Sequence, residues 1–321
     1  LEEKIKGKVT RVESRNYYVL TDDRRSIICS LRGKFKKELH HKKDKLITFD
    51  LAVVGDIVEF LLNDDGTGVI EKVYERKNYI SRKAPKIKGS LQRGERLEQI
   101  VASNIDNLVV VKSINQPQFN HKILDRLLVI AESSHVNIIP VINKIDLDID
   151  DESIYWKELY ESIGYKIFLT SVKKNIGISE LKNYLEGKTS LFWGPSGVGK
   201  SSLLNSLYHD LELKVGEISD WSNKGKHTTV TSIMNQIDET TFVIDTPGMR
   251  EIEPYGIKKE DLSHYFVDFQ EYINNCKFNT CTHHHEPGCA VIDAVEEDKI
   301  SVLRYESYLN MLNNIEDDMN F

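Results

Sequence analysis

No stretch of this chain approaches the ~20 consecutive apolar residues of a membrane-spanning helix, so a helical transmembrane role is excluded. No secretory signal is visible either; the chain begins at Leu1 and not at Met, so a short native N-terminus that precedes it would carry any such signal out of view. Cysteine is scarce, four in 321 residues, which excludes a disulfide scaffold and points to a reducing, cytoplasmic setting. Positive charge is in deficit, with 43 Lys and Arg against 50 Asp and Glu and a net charge of −7. That total hides an asymmetry. Residues 1–100 hold 23 Lys and Arg against 16 Asp and Glu, and the remainder 20 against 34, which makes the N-terminal part the candidate for contact with a polyanion. A hydrophobic content of 40% and a charged content of 29% describe a globular protein of two or three domains.

What the chain does have is Gly194-Pro195-Ser196-Gly197-Val198-Gly199-Lys200-Ser201, which fills every specified position of G-x-x-x-x-G-K-[ST]. The apolar run Ser190–Trp193 precedes it as a strand, and Ser201–Leu207 follows as an amphipathic helix that includes Ser202. Glycines let backbone N–H groups wrap a phosphate chain at a helix N-terminus. Lys200 then reaches the outer phosphates and Ser201 offers its hydroxyl to magnesium. The ligand expected is a nucleoside triphosphate.

Before this loop, short β-rich runs at 7–12, 17–20, 26–31, 56–60 and 68–73 predict a small five-stranded barrel of the OB type. A basic insertion, Lys34, Lys36, Lys37, His40, His41, Lys42, Lys43 and Lys45, reads either as an RNA contact or as a solvated loop. Cys29 alternates within a strand and reads as a small core residue. Residues 76–100 read as a basic linker, lying along phosphates or merely solvated. From Ile100 strands and helices alternate, the signature of a mostly parallel α/β unit. One strand ends in Asn143-Lys144-Ile145-Asp146. A carboxylate at Asp146 can accept from guanine N1–H and the 2-amino group, a donor pair adenine lacks. Asn143 can hold N7 and brace the loop, and the Lys144 stem can cover the base face. After the next strand, Ser171-Val172 suits a backbone contact to guanine O6.

The guanine elements at 143–146 and 170–172 precede the phosphate loop, and Asp245-Thr246-Pro247-Gly248 comes last. This order is circularly permuted. With an N-terminal barrel and a C-terminal Cys/His cluster, the chain resembles the bacterial RsgA (YjeQ) family of GTPases, which act on the small ribosomal subunit late in its assembly. The resemblance implies a first switch at Gly225-Lys226-His227-Thr228-Thr229 and a second at Asp245–Gly248. In those roles Thr229 or Thr228 completes the magnesium shell, Asp245 holds the ion directly or through water, and the Gly248 N–H touches the γ-phosphate. Where many GTPases place a water-orienting glutamine, this chain has Met249. His227 resembles the histidine proposed for that role in the family; a histidine that contacts a partner or packs is the other reading.

Cys276, Cys281 and Cys289 crowd into fourteen residues around His283-His284-His285. Three thiolates and an imidazole make a closed, structural Cys₃His zinc site. The family's C-x4-C-x-H-x5-C knuckle selects His283. A final helix is expected at about 294–314, and the chain past Glu260 is helical in texture.

The expectation is therefore an α/β circularly permuted P-loop GTPase domain (101–258), an N-terminal OB-type barrel (1–75), a basic linker (76–100) and a mostly helical zinc domain (259–321). The resemblance implies a cytoplasmic, monomeric GTPase that needs magnesium with GTP or GDP, holds one structural zinc, and binds the small subunit and its rRNA. Nucleotide state would reach the zinc domain through the connection 249–262. Two rivals are a P-loop kinase or ATPase, which Asn143, Asp146 and the Asp-Thr-Pro-Gly stretch oppose, and an RNA-binding module with a vestigial nucleotide site.

Overall fold

The structure, a computed structural model, describes residues 4–33, 51–83, 98–211, 213, 232–246 and 254–315. The five N-terminal strands are β1 (Lys4–Glu13), β2 (Asn16–Thr21), β3 (Ser26–Leu31), β4 (Ile57–Leu62) and β5 (Gly68–Val73). They run in the order β1-β2-β3-β5-β4, and β4 pairs back onto β1 to close the barrel. Alternation along each strand turns Val9, Val19, Cys29, Val58, Phe60 and Ile70 inward. Gly68 is required at this packing density, because a Cβ there would lie 2.6 Å from Cys29 Sγ and 2.8 Å from the Phe60 ring. Burial pushes the Cys29 thiol up to about 12, as befits an unreactive core residue.

The stretch read as a linker carries structure of its own. β6 (Tyr79–Lys83) and β7 (Glu98–Ser103) form an antiparallel two-stranded ribbon; its hydrophobic pattern is short because Ile80 alone on β6 is buried. The fully buried Asp56 ties barrel to ribbon. It accepts from Arg76 Nε (2.7 Å) and Nη2 (2.8 Å), Ser103 Oγ (2.6 Å) and the Val53 N–H (2.8 Å). Asp56→Ala leaves the Arg76 guanidinium without its partner and is expected to cost about 3–5 kcal/mol, measured as a lowered midpoint of the barrel's denaturant transition.

The central unit comprises β8 (Asn107–Ser113), α1 (His121–Ser133), β9 (Asn137–Asn143), α2 (Glu152–Ser162), β10 (Phe168–Thr170), α3 (Ile178–Leu185), β11 (Thr189–Trp193), α4 (Lys200–Leu207), β12 (Ile233–Gln236) and β13 (Phe242–Asp245). Strand order is β10-β9-β8-β11-β13-β12, parallel except for β12. β8 is buried along its whole length, as a strand covered on both faces must be. Leu108, Val110 and Trp193 pack with Leu124, Leu127 and Tyr160 on one face. Val109, Val111 and Phe192 pack with Leu181, Leu203 and Leu207 on the other. β11 lies between β8 and β13, where the chain order reverses, the place at which open α/β sheets bind ligands. A single bridge, Arg11 to Ile233, continues this sheet into the barrel.

The C-terminal part departs from the expected single helix. Short 3₁₀ turns at Leu262–Tyr265, Val267–Phe269 and Ile273–Asn275 precede α5 (Ala290–Glu296) and α6 (Val302–Asn314). The break follows from Asp298, whose backbone is left-handed (φ 57°), a conformation that ends a right-handed helix. Phe266, Phe269, Tyr308 and Met311 form its core, and Val129 of α1 joins them.

Candidate nucleotide site and metal centre

The phosphate loop leaves β11 and enters α4 with Gly199 at the helix N-cap. Gly194 and Gly199 permit this path. A Cβ at Gly194 would meet the Val111 carbonyl at 2.8 Å, and at Gly199, where φ is 89°, it would meet Asn143 Nδ2 at 2.6 Å. The second contact shows that the guanine loop is built onto the phosphate loop. Asn143, buried at the end of β9, donates from Nδ2 to the Val198 carbonyl (3.0 Å) and accepts at Oδ1 from Thr170 Oγ1 (3.0 Å). Both halves of its amide are engaged, so the brace read from the sequence is present. Lys144 takes a left-handed backbone (φ 61°) and donates to the carbonyls of Gly197 and Gln116. Ser171 Oγ donates to Asp146 Oδ1 at 2.6 Å, and that bond holds the Asp146 carboxyl below the usual carboxylate range. Val172 follows, half-buried.

Across the phosphate loop, Lys200 forms an ion pair with Asp245, and the Thr246 hydroxyl donates to the Phe192 carbonyl at 2.9 Å, fixing where the chain leaves β13. Pro195, Ser201 and Ser202 are half-buried, while Ser196 and Gly197 are exposed. His227, Thr228, Thr229, Pro247, Gly248 and Met249, and the basic insertion at 34–45, lie outside the described residues.

In the C-terminal part, Cys276, Cys281, His283 and Cys289 offer donor atoms that all lie within 4.8 Å of one another. A tetrahedral ion with sulfur at about 2.3 Å requires edges of about 3.5–3.8 Å. Cys276 Sγ lies 3.9 Å from Cys289 Sγ and 3.5 Å from His283 Nδ1, and His283 Nδ1 lies 3.3 Å from Cys289 Sγ. His284 and His285 stay exposed. Burial pushes the Cys281 thiol up to about 12 and the His283 imidazole down, so the set favours neutral donors until a cation displaces the thiol protons. Burial works against the Glu286 charge, but hydrogen bonds from Thr282 and from backbone N–H groups including that of His284 outweigh it and hold its carboxyl low. This carboxylate staples the loop that presents His283. The cluster can hold one metal ion.

Comparison with known proteins agrees with this architecture. The model of the RsgA GTPase family matches residues 73–254, and that of the RsgA N-terminal domain matches residues 6–70. The chain belongs to the RsgA GTPase family. The small ribosomal subunit biogenesis GTPase RsgA of Phocaeicola vulgatus is 40% identical over 98% of both chains, and its namesake in Chlorobaculum parvum is 39% identical over 99% of this chain and 100% of that one. Among solved structures, YjeQ from Thermotoga maritima is similar at a TM-score of 0.75 and 34% identity, covering 97% of this chain and 98% of that one. YloQ, described as a circularly permuted GTPase, is similar at a TM-score of 0.70 and 30% identity, over 99% and 97%. The RsgA-family chain is thus a circularly permuted GTPase with an N-terminal barrel and a helical C-terminus bearing the Cys₃His cluster.

Two parts of this RsgA-family site escape sequence reasoning. Thr170 lies within the guanine element at 170–172, but its role does not show in the sequence: it is fully buried and orients the Asn143 amide. The turn after β8 is the second. Its Ile114 N–H donates to the Asn143 carbonyl (3.0 Å), its Gln116 carbonyl accepts from Lys144, and Ser113 Oγ closes it on the Pro117 carbonyl (2.6 Å). Nothing in the sequence marks it, because its bonds to Asn143 and Lys144 are made by backbone groups.

Proposed function

We propose that this chain hydrolyses GTP during late maturation of the small ribosomal subunit, and that binding to the subunit and its rRNA stimulates the hydrolysis. The observation that carries the reading is the direct joining of guanine and phosphate loops through Asn143 and Val198, which fixes base and phosphates relative to one another. Asp146 reads guanine through N1–H and the 2-amino group, the Lys144 stem covers the base, and Ser171-Val172 turns backbone toward O6. The phosphate loop receives the phosphates on backbone N–H groups at the α4 N-terminus. Phosphate oxygens compete with Asp245 for Lys200, and that exchange frees the Asp245 carboxylate. Ser201, Thr229 and Asp245 are the residues that would hold magnesium, which neutralises charge on the β- and γ-phosphates. Cys276, Cys281, His283 and Cys289 would hold a structural zinc with no open coordination position. No helix among the described residues is long and apolar enough to cross a membrane; the chain would work in the cytoplasm, as a monomer.

Met249 cannot orient the attacking water, so His227 is assigned that role, positioned when the subunit orders the first switch. GTP turnover measured with and without purified small subunits tests the reading; the rate is expected to rise with subunits, and turnover at background in both conditions would overturn it. His227→Ala is expected to retain nucleotide and subunit binding and to lose at least about tenfold of the stimulated rate. Full stimulated turnover in that variant removes the histidine from the water site.

A further inference from the structure

The seam between α1 and α6 is built at a cost. Arg304 of α6 is 1% exposed and Asp125 of α1 is 0% exposed. Arg304 Nη1 donates to Asp125 Oδ1 (2.5 Å), while Nη2 and Nε donate to Asp268 Oδ1 (2.7 Å) and Oδ2 (3.2 Å). Tyr160 donates to the same Asp125 oxygen at 2.8 Å. Three buried polar atoms at this seam, Asp125 Oδ2, His121 Nε2 and Ser307 Oγ, have no hydrogen-bond partner among the described residues. Apolar side chains of similar volume would be cheaper to bury. What the arginine supplies is a fixed register between two helices 179 residues apart in sequence.

That register is connected at both ends. α1 begins at His121, with three residues between it and the 113–117 turn, to which Phe119 is tied by its N–H on the Ile114 carbonyl (3.0 Å). This turn contacts Asn143 through Ile114 and Lys144 through the Gln116 carbonyl, and a Cβ at Gly197 of the phosphate loop would come within 3.6 Å of Pro117 Cδ. α6 in turn holds the metal loop, with Tyr305 donating to the His283 carbonyl (2.8 Å) and Tyr308 to the Thr282 carbonyl (2.6 Å). We infer that Arg304 is a positioning residue for the nucleotide site: through Asp125 it sets α1, and with it the turn that braces Lys144 and the phosphate loop. The C-terminal domain is then part of the scaffold that retains guanine nucleotide. This inference rests on the GTPase reading above.

Release of mant-GDP from the full-length protein tests it. Arg304→Met and Asp125→Asn are expected to speed release roughly tenfold and to raise the KM for GTP by a similar factor, with kcat at saturating GTP within about twofold. Asp268→Asn loosens the same domain but leaves the Arg304–Asp125 bond, so release stays near wild type. Hydrogen exchange over 262–312 reports loosening independently. Wild-type release in Arg304→Met while exchange shows the seam open overturns the inference, as does equal acceleration by Asp268→Asn. If Arg304→Met does not fold, Asp125→Asn decides alone. A wild-type protein that fails to bind mant-GDP would instead defeat the GTPase reading.

Discussion

Cys276→Ser is expected to reduce the metal content from one ion per chain to near zero and to open the loop from Cys276 to Cys289 to proteolysis. The magnitude follows from coupling between metal binding and folding. A structural zinc site contributes about 10–16 kcal/mol of apparent binding free energy, and where no preformed site exists in the unfolded state that energy is folding energy. The four donors fall within one short segment, which has no helix or strand of its own; among the described residues it is tied by Glu286, two tyrosine hydroxyls from α6 and the Lys277 N–H on the Gly288 carbonyl, with Cys289 packed into the C-terminal core. His284→Ala, which alters an exposed imidazole, is expected to keep the ion. The nucleotide site should survive, because the cores on the two faces of the central sheet contain no residue of the metal loop. Metal analysis that finds a full complement in Cys276→Ser refutes the assignment. If the ion leaves and mant-GDP still binds but dissociates faster, the disturbance has travelled through α6 and Arg304.

Which features were legible in the sequence depends on whether they are local. The phosphate loop, the guanine loop and the Cys₃His set each lie within a few consecutive residues, so their chemistry is written in spacing; the permuted order then needed nothing beyond their sequence positions. The barrel was legible because alternation along short strands is also local. Pairings between distant segments were not. The β6–β7 ribbon joins residues on either side of a basic stretch and buries too few side chains to show a period of two. Asp125 and Arg304 give no sign of each other, since each sits among ordinary helix residues and is buried by elements distant in sequence. The expected route from nucleotide to metal domain, along 249–262, falls partly outside the described residues at 249–253. The contacts from the 113–117 turn, α1 and α6 form the second route, the one we infer.

Asp146→Asn is expected to invert base selectivity. The carboxylate accepts two hydrogen bonds from guanine in the proposed complex, and hydrogen bonds to charged groups contribute about 1.5–3 kcal/mol each. Losing one acceptor, and setting an amide N–H₂ against the guanine 2-amino group, should weaken GTP by roughly 10²–10³-fold. Xanthosine triphosphate presents a 2-oxo acceptor at that position while keeping N1–H, so the asparagine amide can donate to the one and accept from the other. The structure says which way the amide will face. Ser171 Oγ already accepts from the Lys174 N–H (3.1 Å) and spends its own proton on Oδ1 of Asp146. That donor keeps an acceptor oxygen at the Oδ1 position in the variant and leaves the amide nitrogen at the other. The phosphate loop and the Asn143 brace are untouched, so kcat with xanthosine triphosphate should approach the wild-type value with GTP. The measurement is kcat/KM for both nucleotides in both proteins with saturating small subunits. An unchanged ratio would remove Asp146 from the guanine site and leave its bond to Ser171 as a purely local staple of two loops.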